Sequence, residues 1–291
     1  MLYIGFMKRF FFLAACLLHT ACCFSQLPDC DIWLLTIKDS GGKVSFSNPM
    51  NITDRKGYDN QPAFSPDGKY IFYTRYDDHA KQSDIFKYEI AAKKSTQFTK
   101  TPASEYSPTY IPDGKNISAV MVEKDSAQRL WKFPLAGGEP GCIMKNVDSI
   151  GYYCWINTDS VALHILTKPF TLQIAAVKNQ KLIVAADSIG RCMKMKDGKL
   201  WFTTTSVAEN NVYEYDLRSK KATLKGAIES EDFCFYKNEI WSCSGNGILS
   251  GFLNSKLGSM EIVNLGKFGI TKITRIAVSP DGRKLAVVSN K

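Results

Sequence analysis

The fold is decided by the stretch Asp59-Asn60-Gln61-Pro62-Ala63-Phe64-Ser65-Pro66-Asp67-Gly68-Lys69-Tyr70-Ile71-Phe72-Tyr73. It predicts a strand, a tight turn and a second strand. Pro66 presets φ for the turn, Asp67 caps the local amides, and Gly68 supplies the left-handed residue that follows. The pattern recurs at 106–115 and at 276–285, so it marks a repeated structural unit.

The repeat can be counted from its turn. The equivalent positions are Asp67, Asp113, Asp159, Asp197, Lys237 and Asp281, separated by 46, 46, 38, 40 and 44 residues. Units of ~40–45 residues are the size of a four-stranded propeller blade. The third to fifth units lose the proline, and in the fifth Asn238 is expected to take the positive φ of the glycine. Turn capping explains the repeated aspartates better than a calcium array does.

A second signature marks the third strand of each unit. Asp84-Ile85-Phe86 alternates polar and apolar residues, and the same pattern recurs at 129–133 and 211–215. A further copy, Asp31-Ile32-Trp33, has no turn motif before it, whereas the last unit has its turn and two strands and then ends. The sequence therefore predicts an all-β fold, a six-bladed β-propeller of four-stranded antiparallel blades. The N-terminal strands close the last blade, and residues 26–291 form a single domain.

These motifs resemble the TolB-like six-bladed propeller repeats, a WD40-like family. Proline, an aromatic residue, Ser-Pro-Asp-Gly-Lys, apolar alternation and Asp-Ile-Phe together carry the resemblance over residues 31–291. Related repeats occur in the propellers of dipeptidyl peptidases, of tricorn protease and of oligogalacturonate lyase. The resemblance implies a periplasmic or secreted scaffold that binds proteins, and it does not fix a function by itself.

The N-terminus is typical of a secretory signal peptide, predicted at 1–25 with translation starting at Met7. Lys8 and Arg9 form the charged region, Phe10 to Leu18 the apolar region, and cleavage is expected before Gln26. An alternative is a bacterial lipobox at 13–16, which would place a lipid anchor on Cys16. Both interpretations predict the periplasm or secretion. No later apolar run reaches the ~20 residues of a membrane helix, so no transmembrane span is expected in the mature chain.

The net charge of +9 attracts anionic partners in general. The basic pairs at 93–94 and 220–221, however, fall at predicted turns between outer strands, where charges discourage edge-to-edge aggregation. Scattered turn lysines do not form the stripe that nucleic-acid binders show, so no nucleic-acid partner is expected.

Residues able to perform catalysis are sparse. After the predicted leader the only histidines are His79, in a polar loop, and His164, within a predicted strand. Two separated histidines are poor ligands for a metal, and no Gly-x-Ser-x-Gly elbow is present. The sequence is interpreted as non-enzymatic, without a cofactor, a metal or catalytic residues.

Six cysteines follow Gln26. A three-residue turn would pair Cys234 with Ile240 and put Cys243 on the opposite face, whereas a two-residue turn at 238–239 would set the cysteines opposite each other. The repeat favours the first register, so no disulfide is expected there. Cys154, Cys192 and Asp232 each lie five residues before their turn anchor and could converge at the channel. A metal site or a Cys154–Cys192 disulfide is then conceivable, but the interpretation as small buried residues that pack between blades is favoured.

A partner-binding surface is predicted where the connections between blades meet at one mouth of the channel. Tyrosine and arginine are the residues that anchor interfaces. The candidates precede inner strands or belong to the 75–79 loop, and they are Tyr58, Arg75, Tyr76, His79, Tyr106, Tyr152 and Tyr153.

The leading hypothesis is a monomeric, non-catalytic periplasmic or cell-envelope propeller that binds a protein or envelope component at this mouth. The alternative is a carbohydrate-active propeller, either a glycan binder or a polysaccharide lyase. A third is a structural or sensory module of an envelope complex.

Overall fold

The computed structural model describes residues 27–205, 210–253 and 260–291. Over these residues the chain forms six four-stranded antiparallel sheets that succeed one another around a ring, as the repeat predicted. The predicted signal peptide and the alternative lipid-anchor site at Cys16 lie outside the described residues. No helix in the described part is long and apolar enough to cross a membrane.

The first half of the chain contributes β1 (Cys30–Ser40), β2 (Lys43–Asn51), β3 (Asp59–Phe64), β4 (Tyr70–Asp77), β5 (Gln82–Glu89), β6 (Lys94–Gln97), β7 (Ser104–Tyr110), β8 (Asn116–Val122), β9 (Gln128–Pro134), β10 (Gly141–Cys142), β11 (Ile150–Asn157) and β12 (Ser160–Ile165). The second half contributes β13 (Thr171–Ala176), β14 (Leu182–Asp187), β15 (Ile189–Lys196), β16 (Lys199–Thr205), β17 (Asn210–Asp216), β18 (Lys221–Ile228), β19 (Phe233–Tyr236), β20 (Glu239–Cys243), β21 (Ile248–Leu253), β22 (Met260–Asn264), a 3-10 helix (Leu265–Phe268), β23 (Ile273–Val278) and β24 (Lys284–Asn290).

Blades 1 to 5 each use four consecutive strands, β3–β6, β7–β10, β11–β14, β15–β18 and β19–β22, and the first of each is innermost. Blade 6 has the order β23-β24-β1-β2. Strand β1 pairs antiparallel with β24 from Cys30↔Asn290 to Thr36↔Lys284. The predicted closure of the last blade by N-terminal strands is therefore confirmed, and it leaves no gap in the ring at which sheet edges would be exposed.

The turn chemistry explains the hairpins of the conserved units. The Ser65 hydroxyl donates to the Asp67 carboxylate at 2.6 Å, and the Lys69 amide donates to the same oxygen at 3.1 Å. Gly68 has φ +70°, a conformation that glycine adopts without strain. Two prolines of the inner strands follow bulge residues, Gln61 and Ser107, where a missing N–H leaves no ladder bond broken.

The fifth blade departs from the prediction. Its hairpin pairs Tyr236 with Glu239, so the turn has two residues and Lys237, with φ 52°, holds the positive φ expected at Asn238. Cys234 consequently faces Trp241 and not Ile240. Cys243 therefore lies on the same face as Cys234, two residues further along, and every cysteine of the described segments is a free thiol.

The core lies between neighbouring blades. A typical cluster joins Ala162 and Leu172 of blade 3 to Ile189, Leu200 and Phe202 of blade 4, all buried. Each blade thus has one apolar face against each neighbour, and the ring centre is left to the innermost strands. The paired lysines at 93–94 and 220–221 lie in the outer hairpins, as predicted, with Lys93 and Lys220 at positive φ.

Candidate functional site

The ring has two faces. The connections between blades and the β4–β5 hairpin lie on one, here called the loop face, because Asp59 at the start of β3 pairs with Arg75 near the end of β4. The Ser-Pro-Asp-Gly turns lie on the other, here called the turn face. All seven predicted site residues belong to strands or hairpins near the loop face.

Two predicted site tyrosines are buried in the structure. Tyr58 and Tyr153 are each 8% exposed. The Tyr153 hydroxyl donates to the Ser107 carbonyl at 2.8 Å, which joins blade 3 to blade 2. Burial raises the pKa of both phenols. These side chains hold the blades together beneath the loop face and are not exposed to a partner.

The 75–79 hairpin provides a more accessible set. The Arg75 guanidinium lies 4.8 Å from the centroid of the Phe86 ring. Tyr76 is half-buried, and its carbonyl accepts a hydrogen bond from Arg55 at 2.8 Å. His79 is exposed at the tip, where its amide donates to the Asp77 carboxylate at 2.7 Å. The hairpin therefore presents an edge with aromatic side chains and charges of both signs, since Asp77 and Asp78 are exposed beside His79.

Tyr152 participates in a contact across the channel. Arg275, on blade 6, donates to the Tyr152 hydroxyl on blade 3 at 3.1 Å. It also contacts the Asp232 carboxylate of blade 5 at 3.3 Å. Because blades 3 and 6 are opposite members of the ring, this contact spans the channel.

A second arginine, Arg191, connects blade 4 to blade 6. Arg191 of blade 4 lies 3.2 Å from the Glu231 carboxylate and donates to the Thr274 carbonyl of blade 6 at 2.9 Å. Glu231 also accepts from the Arg191 amide at 2.8 Å. Together these groups, with Tyr152, Asp232 and Arg275, form a polar bridge across the channel on its loop-face side.

Sequence reasoning missed most of the polar bridge. Arg191, Glu231 and Arg275 all stand six residues before their turn anchors. The repeat alignment thus contained the signal, because charged residues at one repeat position of adjacent blades must approach each other at the ring axis. Asp232 was recognised by its position, whereas the arginine partners were not.

Behind the bridge lies a cavity of about 330 Å³. Its walls come from the inner strands of blades 1, 2, 3, 4 and 6, together with Asp232 of blade 5, and they extend to Pro280 near the turn face. Lys194 of β15 lines it. Burial lowers the pKa of Lys194, while Cys192, Asp232, Cys154 and Cys234 around it raise it, and its net pKa lies above the ordinary value.

The two histidines differ in their exposure to solvent. His164 is 3% exposed and packs against Tyr152 and Phe170, and burial lowers its pKa. His79 is exposed at the hairpin tip. Within the residues that the structure describes, no three His, Cys, Asp or Glu side chains are grouped to hold a metal ion.

Comparison with known proteins places the fold. No protein-family profile matches the sequence, and no curated protein matches it significantly. A protein assigned as TolB in Agrobacterium tumefaciens superposes with a TM-score of 0.69 at 12% identity, covering 91% of this chain and 99% of that one. TolB from Acinetobacter baumannii gives 0.57 at 14%, covering 89% of this chain and 64% of that one.

An oligogalacturonate lyase in complex with manganese gives a TM-score of 0.52 at 11% identity, covering 84% of this chain and 80% of that one. Such low identities show the fold alone. The TolB-like six-bladed arrangement expected from the repeat is confirmed at that level.

Proposed function

We propose that this protein is a non-catalytic propeller of the periplasm or cell envelope that binds a protein or another envelope component at its loop face. The observation that carries the proposal is the polar bridge. It places hydrogen-bonded arginine, tyrosine and carboxylate side chains across the channel near this face. Around it lie tyrosine and arginine side chains, the residue types that most often anchor interfaces.

The proposed contact residues are the accessible ones. Arg75, Tyr76 and His79 form the hairpin edge, Tyr106 is half-buried, and Tyr152 is a half-buried member of the bridge. Tyr58 and Tyr153 support them from beneath. Function on propellers resides in such loops, because the blades only position them. The fold likeness to TolB structures supports a protein partner, and the signal peptide predicted from the sequence supports the periplasmic location.

The partner surface can be tested with variants that leave the core intact. Arg75→Ala/His79→Ala alters the loop face, and Lys69→Ala/Lys115→Ala alters exposed residues of the turn face as a matched control. Affinity purification from the envelope fraction is expected to lose its specific partners with the first variant and to keep them with the second. Identical partners with both variants would contradict the proposed site.

The alternative is a carbohydrate-active propeller. The channel favours it in one respect, since the cations Arg191, Lys194 and Arg275 would suit an acidic glycan, and an oligogalacturonate lyase shares the fold. Incubating the purified protein with polyuronates decides the matter. Formation of unsaturated products, seen by their ultraviolet absorbance, would overturn the non-enzymatic proposal.

A further inference from the structure

We propose that the cavity behind the polar bridge binds a small organic carboxylate, with the Lys194 ammonium as its anion-binding group. This site is distinct from the loop-face surface and does not depend on the macromolecular partner proposed above. Four observations lead to it.

Lys194 is an exception among six equivalent positions. In every blade one residue of the innermost strand pairs with the third residue of the second strand. In blade order these residues are Ala63, Thr109, Cys154, Lys194, Cys234 and Ala277. The other five residues are small and leave space around Lys194. Lys194 alone of the six brings a charge to the axis of the molecule.

The ammonium of Lys194 has no partner of its own. Within the described residues it forms no hydrogen bond and no ion pair, whereas Arg275 and Arg191 contact Asp232 and Glu231 at 3.3 and 3.2 Å. Three cations thus share two carboxylates. Lys194 is half-buried in the wall of the cavity, so a carboxylate bound there can form a charge-assisted hydrogen bond with its ammonium.

The remaining wall indicates the chemistry of the ligand. Phe64, Met193, Ile276, Val278 and prolines of the inner strands line the cavity beside the lysine. An inorganic anion would leave this apolar wall uncovered, while a carboxylate with an apolar body would cover it. A volume of about 330 Å³ is at the lower end of the range of small-molecule sites, roughly 300–1,000 Å³.

The route of entry follows from the bridge. Arg275 and Tyr152 meet at 3.1 Å across the loop-face side of the cavity, and the cavity extends in the other direction to Pro280 beside a Ser-Pro-Asp-Gly turn. The ligand is therefore expected to enter from the turn face. A partner on the loop face and a small carboxylate in the cavity could then bind at the same time.

The test uses benzoate as the probe, with neutral benzamide and inorganic phosphate for comparison, in isothermal titration calorimetry of the full mature chain. Benzoate is expected to bind one-to-one, and benzamide and phosphate at least roughly tenfold more weakly, because a charge-assisted hydrogen bond and the apolar wall both contribute. Failure of benzoate to bind the folded protein would overturn the proposal, and so would equal binding of benzamide or tighter binding of phosphate.

Lys194→Met removes the charge and keeps the apolar stem, and Lys194→Arg keeps the charge. The matched control is Lys196→Met, two residues further along β15, because the Lys196 ammonium already donates to the Lys237 carbonyl. Benzoate affinity should fall about tenfold or more in Lys194→Met and stay within about threefold in the other two variants. Unchanged affinity in Lys194→Met would place the carboxylate elsewhere. Loss of affinity in Lys194→Arg would contradict a charge-based site.

Loop-face substitutions separate the two proposals. Arg75→Ala/His79→Ala should leave benzoate binding unchanged even where it abolishes partner binding. If that variant lost benzoate affinity, the cavity would open to the loop face and the proposed turn-face entry would be wrong.

Discussion

Most charged side chains near the ring axis are paired with a side chain of opposite charge. Arg275 with Asp232 and Arg191 with Glu231 neutralise each other, and Lys194 is left over. A second exception lies between blades 1 and 2, where the carboxyls of Glu105 and Asp84 are neighbours and burial raises the pKa of both. Such groups make stability depend on pH.

Replacing Glu105 by glutamine should remove part of that dependence. Glu105 is fully buried, accepts from the Thr99 hydroxyl at 3.0 Å, and has a pKa raised to about 8 by burial. In the unfolded chain its pKa is about 4.3. Between these values the folded protein holds the extra proton, so the free energy of unfolding falls as pH rises, by up to ~1.4 kcal/mol per pH unit from this group.

Urea unfolding at pH 5, 6.5 and 8 measures this effect. Glu105→Gln keeps the neutral shape, so it should be more stable than the wild type at pH 8 and nearly equal at pH 5. Asp84→Asn provides a comparison, since it removes the neighbouring charge and should make Glu105 easier to ionise. Parallel pH profiles for the wild type and Glu105→Gln would contradict a raised pKa.

Individual residues also show where sequence reasoning reached its limit. Lys194 and Phe64 both stand three residues before their turn anchors, Asp197 and Asp67, yet the strand register makes Lys194 equivalent to Ala63. The offset arises because the turn of blade 4 closes between Lys196 and Lys199, whereas that of blade 1 spans Phe64 to Ile71. Turn length and bulges shift register by one residue, and the one-dimensional repeat does not record them.

At the scale of the element, the hairpin turn has a structural role. Asp67 caps its own turn by accepting from Ser65 and Lys69, and these hydrogen bonds, that from Ser65 first, lower its pKa. Asp67→Ala should therefore cost about 1 kcal/mol of stability, the usual net value of a lost hydrogen bond. Asp67→Asn keeps an acceptor and should cost less.

The same unfolding experiment tests the calcium alternative for these aspartates. Stability of the wild type should be equal in calcium and in a chelator, because the carboxylate is already occupied by the turn. A calcium-dependent increase in the melting temperature that disappears in Asp67→Ala would contradict a purely structural role.

Closure by β1 is the second element-scale feature that can be tested. Ile32 is fully buried between β24 and its neighbours, so Ile32→Ala should destabilise the protein by about 2–5 kcal/mol. Val184→Ala, at a side chain 63% exposed on β14, should change stability by less than about 0.5 kcal/mol. Chemical denaturation followed by tryptophan fluorescence and circular dichroism measures both. A cost below 1 kcal/mol for Ile32→Ala would mean that β1 contributes little to closure.

The elements themselves were largely predictable from sequence. Local patterns predict these elements. Strict alternation, as in Asp84-Ile85-Phe86, predicts a strand, and proline followed by glycine predicts a turn. The turn length of the fifth blade was predicted wrongly. Its sequence lacks both signals, so the prediction assumed the three-residue turn of the first unit, whereas the turn has two residues. Side-chain pairing across the axis, as between Arg275 and Tyr152, depends on residues 123 positions apart and leaves no local pattern.

At the scale of the whole molecule, the ring separates two surfaces. The polar bridge crosses the channel beside the loop face, and the cavity with Lys194 extends towards the turn face. The tyrosine and arginine side chains that suit a macromolecular partner lie on the loop face. The cavity that suits a small molecule lies behind the polar bridge. We therefore expect large partners to bind at the loop face.

Site-specific photo-cross-linking in intact cells tests that assignment most directly. A photoreactive amino acid would replace His79 at the loop face in one variant and Lys115 at the turn face in another, both positions being exposed. A loop-face partner site predicts a discrete cross-linked partner from position 79 and none from position 115. Cross-links from position 115 alone, or none from position 79 in the folded protein, would contradict it.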